Sequence, residues 1–338
     1  MPSGRARASA GLRCNKNTQT ASMTFLRGTG TRIAFKWTAT ALVILAVLLF
    51  VDGEALVSEI ARIPKAAMIA GVVLGVVQVF LSAWRWRYTA GLLGLPIPYM
   101  QSVREYYLAT FTNQVLPGGV LGDVNRALRH GADTDKRLAA AHGVAIERLS
   151  GQVVLAAVVL SGLTWLFVTG RIVGADPGPD SSGYLYWVLA STSAFIFLLW
   201  YLARRSDRVC RYFATLRGDL TRALLSWPAF PLQVLTSLLV VASYLAVFLV
   251  LATGAGYLAD LSSAAVLGAL CSLLLLSMVI PVTVSGWGVR EGAAVVLWPM
   301  VGLPAEQGVA LSVAYGALIF VSSLPGALFL FSSPARQR

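Results

Sequence analysis

Residues 112–119 read Thr112-Asn113-Gln114-Val115-Leu116-Pro117-Gly118-Gly119, and the stretch continues to Gly122-Asp123-Val124-Asn125-Arg126. A second stretch of the same kind lies in the other half of the chain, at Pro281-Val282-Thr283-Val284-Ser285-Gly286-Trp287-Gly288-Val289-Arg290-Glu291. Both are polar, are broken by glycine and proline, and sit within apolar sequence of membrane length. A backbone that leaves the helix at membrane depth exposes N–H and C=O groups, which are costly unless protein or water satisfies them. We therefore expect both breaks to line a cavity, as interrupted segments do around the binding sites of transporters.

The composition places this chain in a membrane. Hydrophobic residues make up 57% of the sequence and charged residues only 12%, and the mean hydropathy is +0.72. These values leave too little polar surface for a soluble domain of this length. The net charge of +12 comes from basic residues beside apolar runs, which indicates positive-inside topology and not a nucleic-acid-binding face.

The apolar runs predict an all-α, polytopic fold. A hydrocarbon core about 30 Å thick needs about 20 apolar residues in a helix, and seven runs qualify: 33–51, 65–84, 150–169, 185–203, 229–252, 262–281 and 309–331. The shorter segment 288–303 is predicted to cross as a half-length or tilted helix, which gives eight crossings. Alternate loops are enriched in Lys and Arg, and Arg85 and Arg87 are among these flanking bases. This bias predicts that the N- and C-termini are cytoplasmic and that the protein lies in the inner (cell) membrane.

Three segments are expected to depart from simple spanning helices. Residues 98–117 are long enough to span, but both flanks are basic, so a re-entrant or in-plane hairpin from the cytoplasmic side is favoured. Residues 204–227 alternate arginine with apolar residues at helical spacing, which is typical of an amphipathic helix on the membrane surface. Residues 1–30 are predicted to form a basic, disordered tail, residues 31–332 a single membrane domain and residues 333–338 a cytoplasmic tail.

Charged residues at the ends of broken segments are costly at membrane depth and therefore point to function. Three acid–base pairs stand out: Asp123 with Arg126, Glu147 with Arg148, and Arg290 with Glu291. Asp123 and Arg126 lie on one helix face. The members of the other two pairs are adjacent, point about 100° apart on a helix, and so are expected to find partners elsewhere.

We interpret the three arginines as a site for an anionic group such as a lipid phosphate, because guanidinium matches phosphate geometry. Exposed N–H groups at helix N-termini would add donors, and the acidic residues would balance the charge or meet a cationic headgroup. The candidate substrate-binding residues are Asn113, Gln114, Gly118, Gly119, Asp123, Arg126, Glu147, Arg148, Ser285, Arg290 and Glu291.

Each of these residues also has a structural interpretation. The charged pairs could be ion pairs that hold broken helices together, and the polar side chains could cap freed backbone groups. His130 and His142 lie in a basic stretch and are expected to be solvated. Gly71 and Gly75 form a small-xxx-small pattern, which predicts helix packing.

Several sharper motifs are missing from the sequence. The glycine-rich stretch has no Gly-Lys-Ser/Thr, and there is no HExxH, no GxSxG and no His/Cys cluster. The sequence therefore predicts no cofactor, no metal and no catalytic residue.

The broken stretches resemble the flippase-like transmembrane domain of lysylphosphatidylglycerol synthases. The resemblance lies in residues 113–126, in Glu147-Arg148 and in residues 285–291, and it covers about residues 30–331. It implies lipid translocation. In the two-part members this domain moves aminoacylated phosphatidylglycerol, while a separate cytosolic domain transfers lysine from charged tRNA. Because the sequence ends at Arg338, a stand-alone member without the transfer domain is expected.

The leading hypothesis is a lipid translocase or lipid-binding transporter whose partner is a membrane lipid with an anionic headgroup or a lipid-phosphate. One alternative is a membrane-embedded transferase that uses a lipid-phosphate donor. Another is a non-transporting accessory subunit of an envelope lipid pathway. A homo-oligomer and an envelope-pathway partner both stay open.

Overall fold

The computed structural model describes residues 37–116, 119–134, 136–172, 207–279 and 283–331. The predicted span 185–203, the tails 1–30 and 333–338, and Gly118 lie outside these residues. Within them the secondary structure is helical and contains no strand, which confirms the all-α prediction. The helices are α1 (Trp37–Phe50), α2 (Gly53–Ala61), α3 (Lys65–Leu92), α4 (Tyr99–Val115), α5 (Leu121–Thr134), α6 (Arg137–Val168), α7 (Asp207–Leu220), α8 (Ala229–Gly254), α9 (Leu261–Ser277), α10 (Val289–Leu297), α11 (Ala305–Ser323) and α12 (Pro325–Phe331).

Four helical segments are long and apolar enough to cross a membrane: Lys65–Leu92, Arg137–Val168, Ala229–Gly254 and Ala305–Leu330. A fifth follows if α1 and α2, which meet at a bend of 96°, form one broken span. A multi-pass fold is therefore confirmed, while eight crossings are not. The 17 residues of α9 rise about 26 Å and the nine residues of α10 about 14 Å, short of a core about 30 Å thick.

The sequence prediction placed a whole re-entrant or in-plane hairpin within residues 98–117, but α4 is a single helix and forms one arm of a hairpin with α5. Helix α4 ends at Val115, the chain turns, and α5 returns along α4. The Gly122 backbone N donates to Asn113 Oδ1 at 2.8 Å, so the Asn113 side chain satisfies a free donor of the first turn of α5. How deeply this hairpin enters the membrane stays a prediction.

The hairpin depends on a glycine at its point of closest approach. A Cβ atom on Gly122 would lie 2.1 Å from the carbonyl oxygen of Ala109. Substitution of Gly122 by alanine should therefore lower the free energy of unfolding by about 1–3 kcal/mol, seen as a lower unfolding midpoint in detergent. Gly91→Ala is the matched control, because a Cβ there would meet nothing within 4 Å, and its midpoint should not fall. Equal midpoints for the two variants would contradict the proposed close contact.

Helix α3 lies at the centre of the bundle and packs along α8 and α11. A Cβ on Gly71 would lie 2.5 Å from Leu318 Cδ1, and one on Gly75 would lie 2.6 Å from Ser322 Oγ. The small-xxx-small pattern is therefore a helix-packing surface, as predicted.

Both histidines differ from the sequence prediction. His142 is 2% exposed, and its Nδ1 lies 2.7 Å from Asp219 Oδ2. His130 is 5% exposed, with Nε2 3.3 Å from the Leu95 carbonyl oxygen. The prediction of solvated side chains is wrong because the amphipathic helix α7 covers the start of α6, where His142 lies, and the loop after α3 covers His130.

Candidate functional site

The two broken stretches border one cavity of about 610 Å³. Ser285, in the second break, donates its hydroxyl to Gln114 Oε1 at 2.6 Å, so the two breaks touch directly although 171 positions separate them. Side chains from α3, α4, α5, α6, α8 and α11 complete the wall. The polar lining residues are Gln78, Ser82, Arg85, Tyr106, Thr110, Asn113, Gln114, Asp123, Arg148, Gln152, Tyr244, Thr283, Ser285 and Tyr315.

One wall of the cavity carries an arginine cluster, formed by Arg85, Arg126, Arg148, Asp123 and Glu147. Arg126 Nη2 donates to Glu147 Oε2 at 2.7 Å, and Arg126 Nε donates to Asp123 Oδ1 at 3.0 Å. Arg148 Nη2 lies 2.7 Å and 2.9 Å from the two oxygens of Asp123. Arg85 Nη2 donates to Glu147 Oε1. The cluster thus joins α3, α5 and α6 through two shared carboxylates.

The arginine cluster carries three guanidinium groups and two carboxylates, which leaves one positive charge in excess among the described residues. Within that part of the chain, Nε of Arg85 and Nε of Arg148 are buried without a hydrogen-bond partner. Charges removed from water are costly unless they are paired, so a cluster with excess charge and free donors favours an added anion.

The arginine cluster has a buried side and a side that faces the cavity. Arg126 is 1% exposed and its guanidinium is held between the rings of Trp86 and Tyr106, at 4.8 Å and 4.6 Å from the ring centroids. Glu147 is fully buried. Neither residue lines the cavity, whereas Arg85, Asp123 and Arg148 do. Arg126 and Glu147 therefore lie behind the cavity wall, and their direct contact with a substrate stays a prediction.

A second cluster lies at the start of α10. Arg290 Nη2 lies 2.8 Å from Glu291 Oε1, and Arg290 Nε donates to Ser312 Oγ at 2.6 Å. Its guanidinium lies 5.3 Å from the ring centroids of both Trp287 and Tyr315. Tyr315 lines the cavity, but Arg290 and Glu291 do not.

Two expectations about these pairs need correction. Arg126 and Arg148 share Asp123, but Arg290 belongs to the separate second cluster, so the three arginines do not converge on one point. Arg290 also pairs with its neighbour Glu291, although neighbours on a helix diverge. Both residues lie in the first turn of α10, where Glu291 Oε2 accepts from the Gly288 backbone N at 2.6 Å and the long Arg290 side chain can fold back.

The polar residues of the breaks are placed as follows. Asn113, Gln114, Gly119 and Ser285 line the cavity. Asn113 Nδ2 also donates to Asp123 Oδ2 at 3.3 Å, so this side chain both caps α5 and orients the acid. Gly118 lies outside the described residues. Within the described ranges, no group of three or more His, Cys, Asp or Glu side chains is placed to hold a metal ion.

Sequence reasoning missed Arg85. The predicted span ends at residue 84, so the sequence predicts that Arg85 is a base flanking a span, but α3 continues to Leu92. Arg85 is 4% exposed and also donates from Nη1 to Ser237 Oγ at 3.0 Å. An arginine inside a regular helix of membrane length is itself a signal of function.

Comparison with known proteins agrees with this architecture. The family model described as "Lysylphosphatidylglycerol synthase TM region" matches residues 36–326. No curated protein matches the chain. The matched region contains the cavity and both clusters and covers most of the sequence. The chain therefore belongs to the family of the lysylphosphatidylglycerol synthase transmembrane region.

Proposed function

We propose that this protein is a lipid translocase or lipid-binding transporter that receives the anionic headgroup of a phospholipid or lipid-phosphate. The observation that carries the proposal is the excess positive charge of the arginine cluster on the wall of a cavity between membrane-length helices. The resemblance to a flippase-like family supports the same conclusion.

The size and chemistry of the cavity fit a headgroup. A volume of about 610 Å³ lies in the range of small-molecule sites, about 300–1,000 Å³. Arg85 and Arg148 supply guanidinium groups, and the amides and hydroxyls of the two breaks supply neutral hydrogen bonds. Acyl chains need no such polar lining, and they can stay in the surrounding bilayer while the headgroup occupies the cavity.

A transport assay tests the proposal. Protein reconstituted into vesicles with fluorescent phosphatidylglycerol should speed the exchange of label between leaflets, and Arg148→Gln should slow that exchange about tenfold or more, because a charge-assisted hydrogen bond contributes about 1.5–3 kcal/mol. Arg129→Gln is the matched control. The Arg129 side chain is 36% exposed and pairs with Glu105 at 2.9 Å, close to the 38% and 2.7 Å of Arg148 with Asp123, yet Arg129 does not line the cavity.

Equal rates for Arg148→Gln and the parent protein would contradict this assignment of the site. Absence of exchange for every anionic lipid would contradict translocation itself. A new product in the lipid extract of the same vesicles would favour the transferase alternative, and copurification of a partner without lipid exchange would favour the accessory subunit.

A further inference from the structure

Arg148 already holds an anion at the cavity. Its Nη2 contacts both oxygens of Asp123, at 2.7 Å and 2.9 Å, a charge-assisted contact of the kind that guanidinium also makes with phosphate. Both side chains line the cavity. The Asp123 carboxylate therefore occupies a position that a bound headgroup would need.

A second guanidinium faces the same part of the cavity. A Cβ on Gly151 would lie 3.2 Å and 3.3 Å from Nη1 and Nη2 of Arg85, so Arg85 packs directly over this glycine. Gly151 follows Arg148 by three positions and shares its face of α6. Arg85 and Arg148 are thus neighbours on one wall, and the missing side chain of Gly151 makes room for the Arg85 guanidinium.

The two carboxylates of the arginine cluster differ in their freedom to exchange. Glu147 is fully buried between Arg85 and Arg126, where no water or ligand can replace it. The Asp123 side chain is 10% exposed and lies at the cavity wall, where an incoming anion can take its place on Arg148 while Asp123 keeps its bond to Arg126. One acid is therefore a fixed partner, and the other is exposed to competition.

We propose that Asp123 is an internal counter-ion of Arg148, which a phosphodiester headgroup displaces when it binds, with Arg85 as the second cationic contact. This inference rests on the proposed function. A phosphodiester carries one negative charge and two free oxygens, so it matches both the single excess positive charge and the carboxylate that it replaces. A phosphomonoester, with a charge of about −1.5 to −2, would overcompensate the cluster.

The competition predicts a gain of binding when the acid is neutralised. Asp123→Asn keeps the shape of the side chain but removes its charge, so it should bind dihexanoyl-phosphatidylglycerol about tenfold more tightly than the parent protein, measured by calorimetry in mild detergent. In the Arg148→Ala background the same substitution should not increase the affinity, because the guanidinium for which Asp123 and the lipid phosphate compete is absent. A merely structural role for Asp123 predicts weaker binding in both backgrounds.

Glu105→Gln is the control, because Glu105 is a buried acid paired with an arginine outside the cavity, and it should bind the probe as the parent does. Equal or weaker binding by monodisperse Asp123→Asn would overturn the exchange while leaving the proposed function standing, provided that the parent still binds and moves lipid. If the parent neither binds nor moves the lipid, the proposed function fails. Glycerophosphoglycerol, the free headgroup, should bind more weakly than the lipid, and equal binding would indicate a soluble phosphodiester as ligand.

Discussion

Glutamine in place of Glu147 should prevent much of the protein from folding stably. The parent carboxylate lies between two arginines, with Arg85 on one oxygen and Arg126 on the other, and is fully buried. Removal of one partner from a buried ion pair costs about 3–5 kcal/mol, because the remaining charge keeps its desolvation penalty. We expect a large drop in the unfolding midpoint in detergent and a low yield of monodisperse protein.

Two further variants test whether the loss of stability in Glu147→Gln comes from its ion pairs. Glu54→Gln removes an exposed acid at the start of α2 and should change the free energy of unfolding by less than about 0.5 kcal/mol. The double variant Glu147→Gln with Arg85→Gln removes one of the stranded guanidinium groups and should recover part of the lost stability. An unchanged midpoint for the single variant would mean that the arginine cluster does not form as described.

Alanine at position 316 should disrupt the second cluster. A Cβ on Gly316 would lie 2.4 Å from Arg290 Nη2 and 2.9 Å from the Trp287 ring. Because Arg290 is held between two aromatic rings and paired with Glu291, it has little room to retreat. We expect a loss of about 1–3 kcal/mol in the free energy of unfolding, together with slower lipid exchange, since the displaced groups pack on Tyr315 at the cavity wall.

Gly268→Ala is the matched control for Gly316→Ala. Gly268 also lies within a helix, but a Cβ there would meet nothing within 4 Å, so stability and lipid exchange should not fall. A parent-like unfolding midpoint for Gly316→Ala would show that α10 and α11 are not packed as closely as the structure has them.

The sequence predicted the helical class and the packing role of Gly71 and Gly75 because each is a local pattern. Hydropathy indicates which helices lie in the membrane, and proline and glycine indicate where the helices break. The sequence also offered a capping role for the polar side chains of the breaks. Asn113 has that role, because its side chain accepts a hydrogen bond from the free Gly122 backbone N. These features depend on neighbours within a few positions.

Features that depend on distant partners were not predictable. Arg85 and Glu147 lie 62 positions apart, and no local pattern separates a buried arginine at the end of an apolar run from a base at the membrane edge. The same limit explains the covered histidines and the separation of Arg290 from the other two arginines. The eight predicted crossings are not confirmed, because hydropathy measures apolar length, while α9 and α10 are helical over only 17 and nine residues.

The charge imbalance of the arginine cluster has an electrical consequence. An empty site with one uncompensated positive charge becomes neutral when a monoanionic headgroup fills it. A transmembrane voltage acts on net charge, by about 2.3 kcal/mol per elementary charge for each 100 mV. If the cluster moves through the field during the proposed transport cycle, voltage would bias the step made by the protein without lipid and leave the step made with bound lipid nearly unaffected.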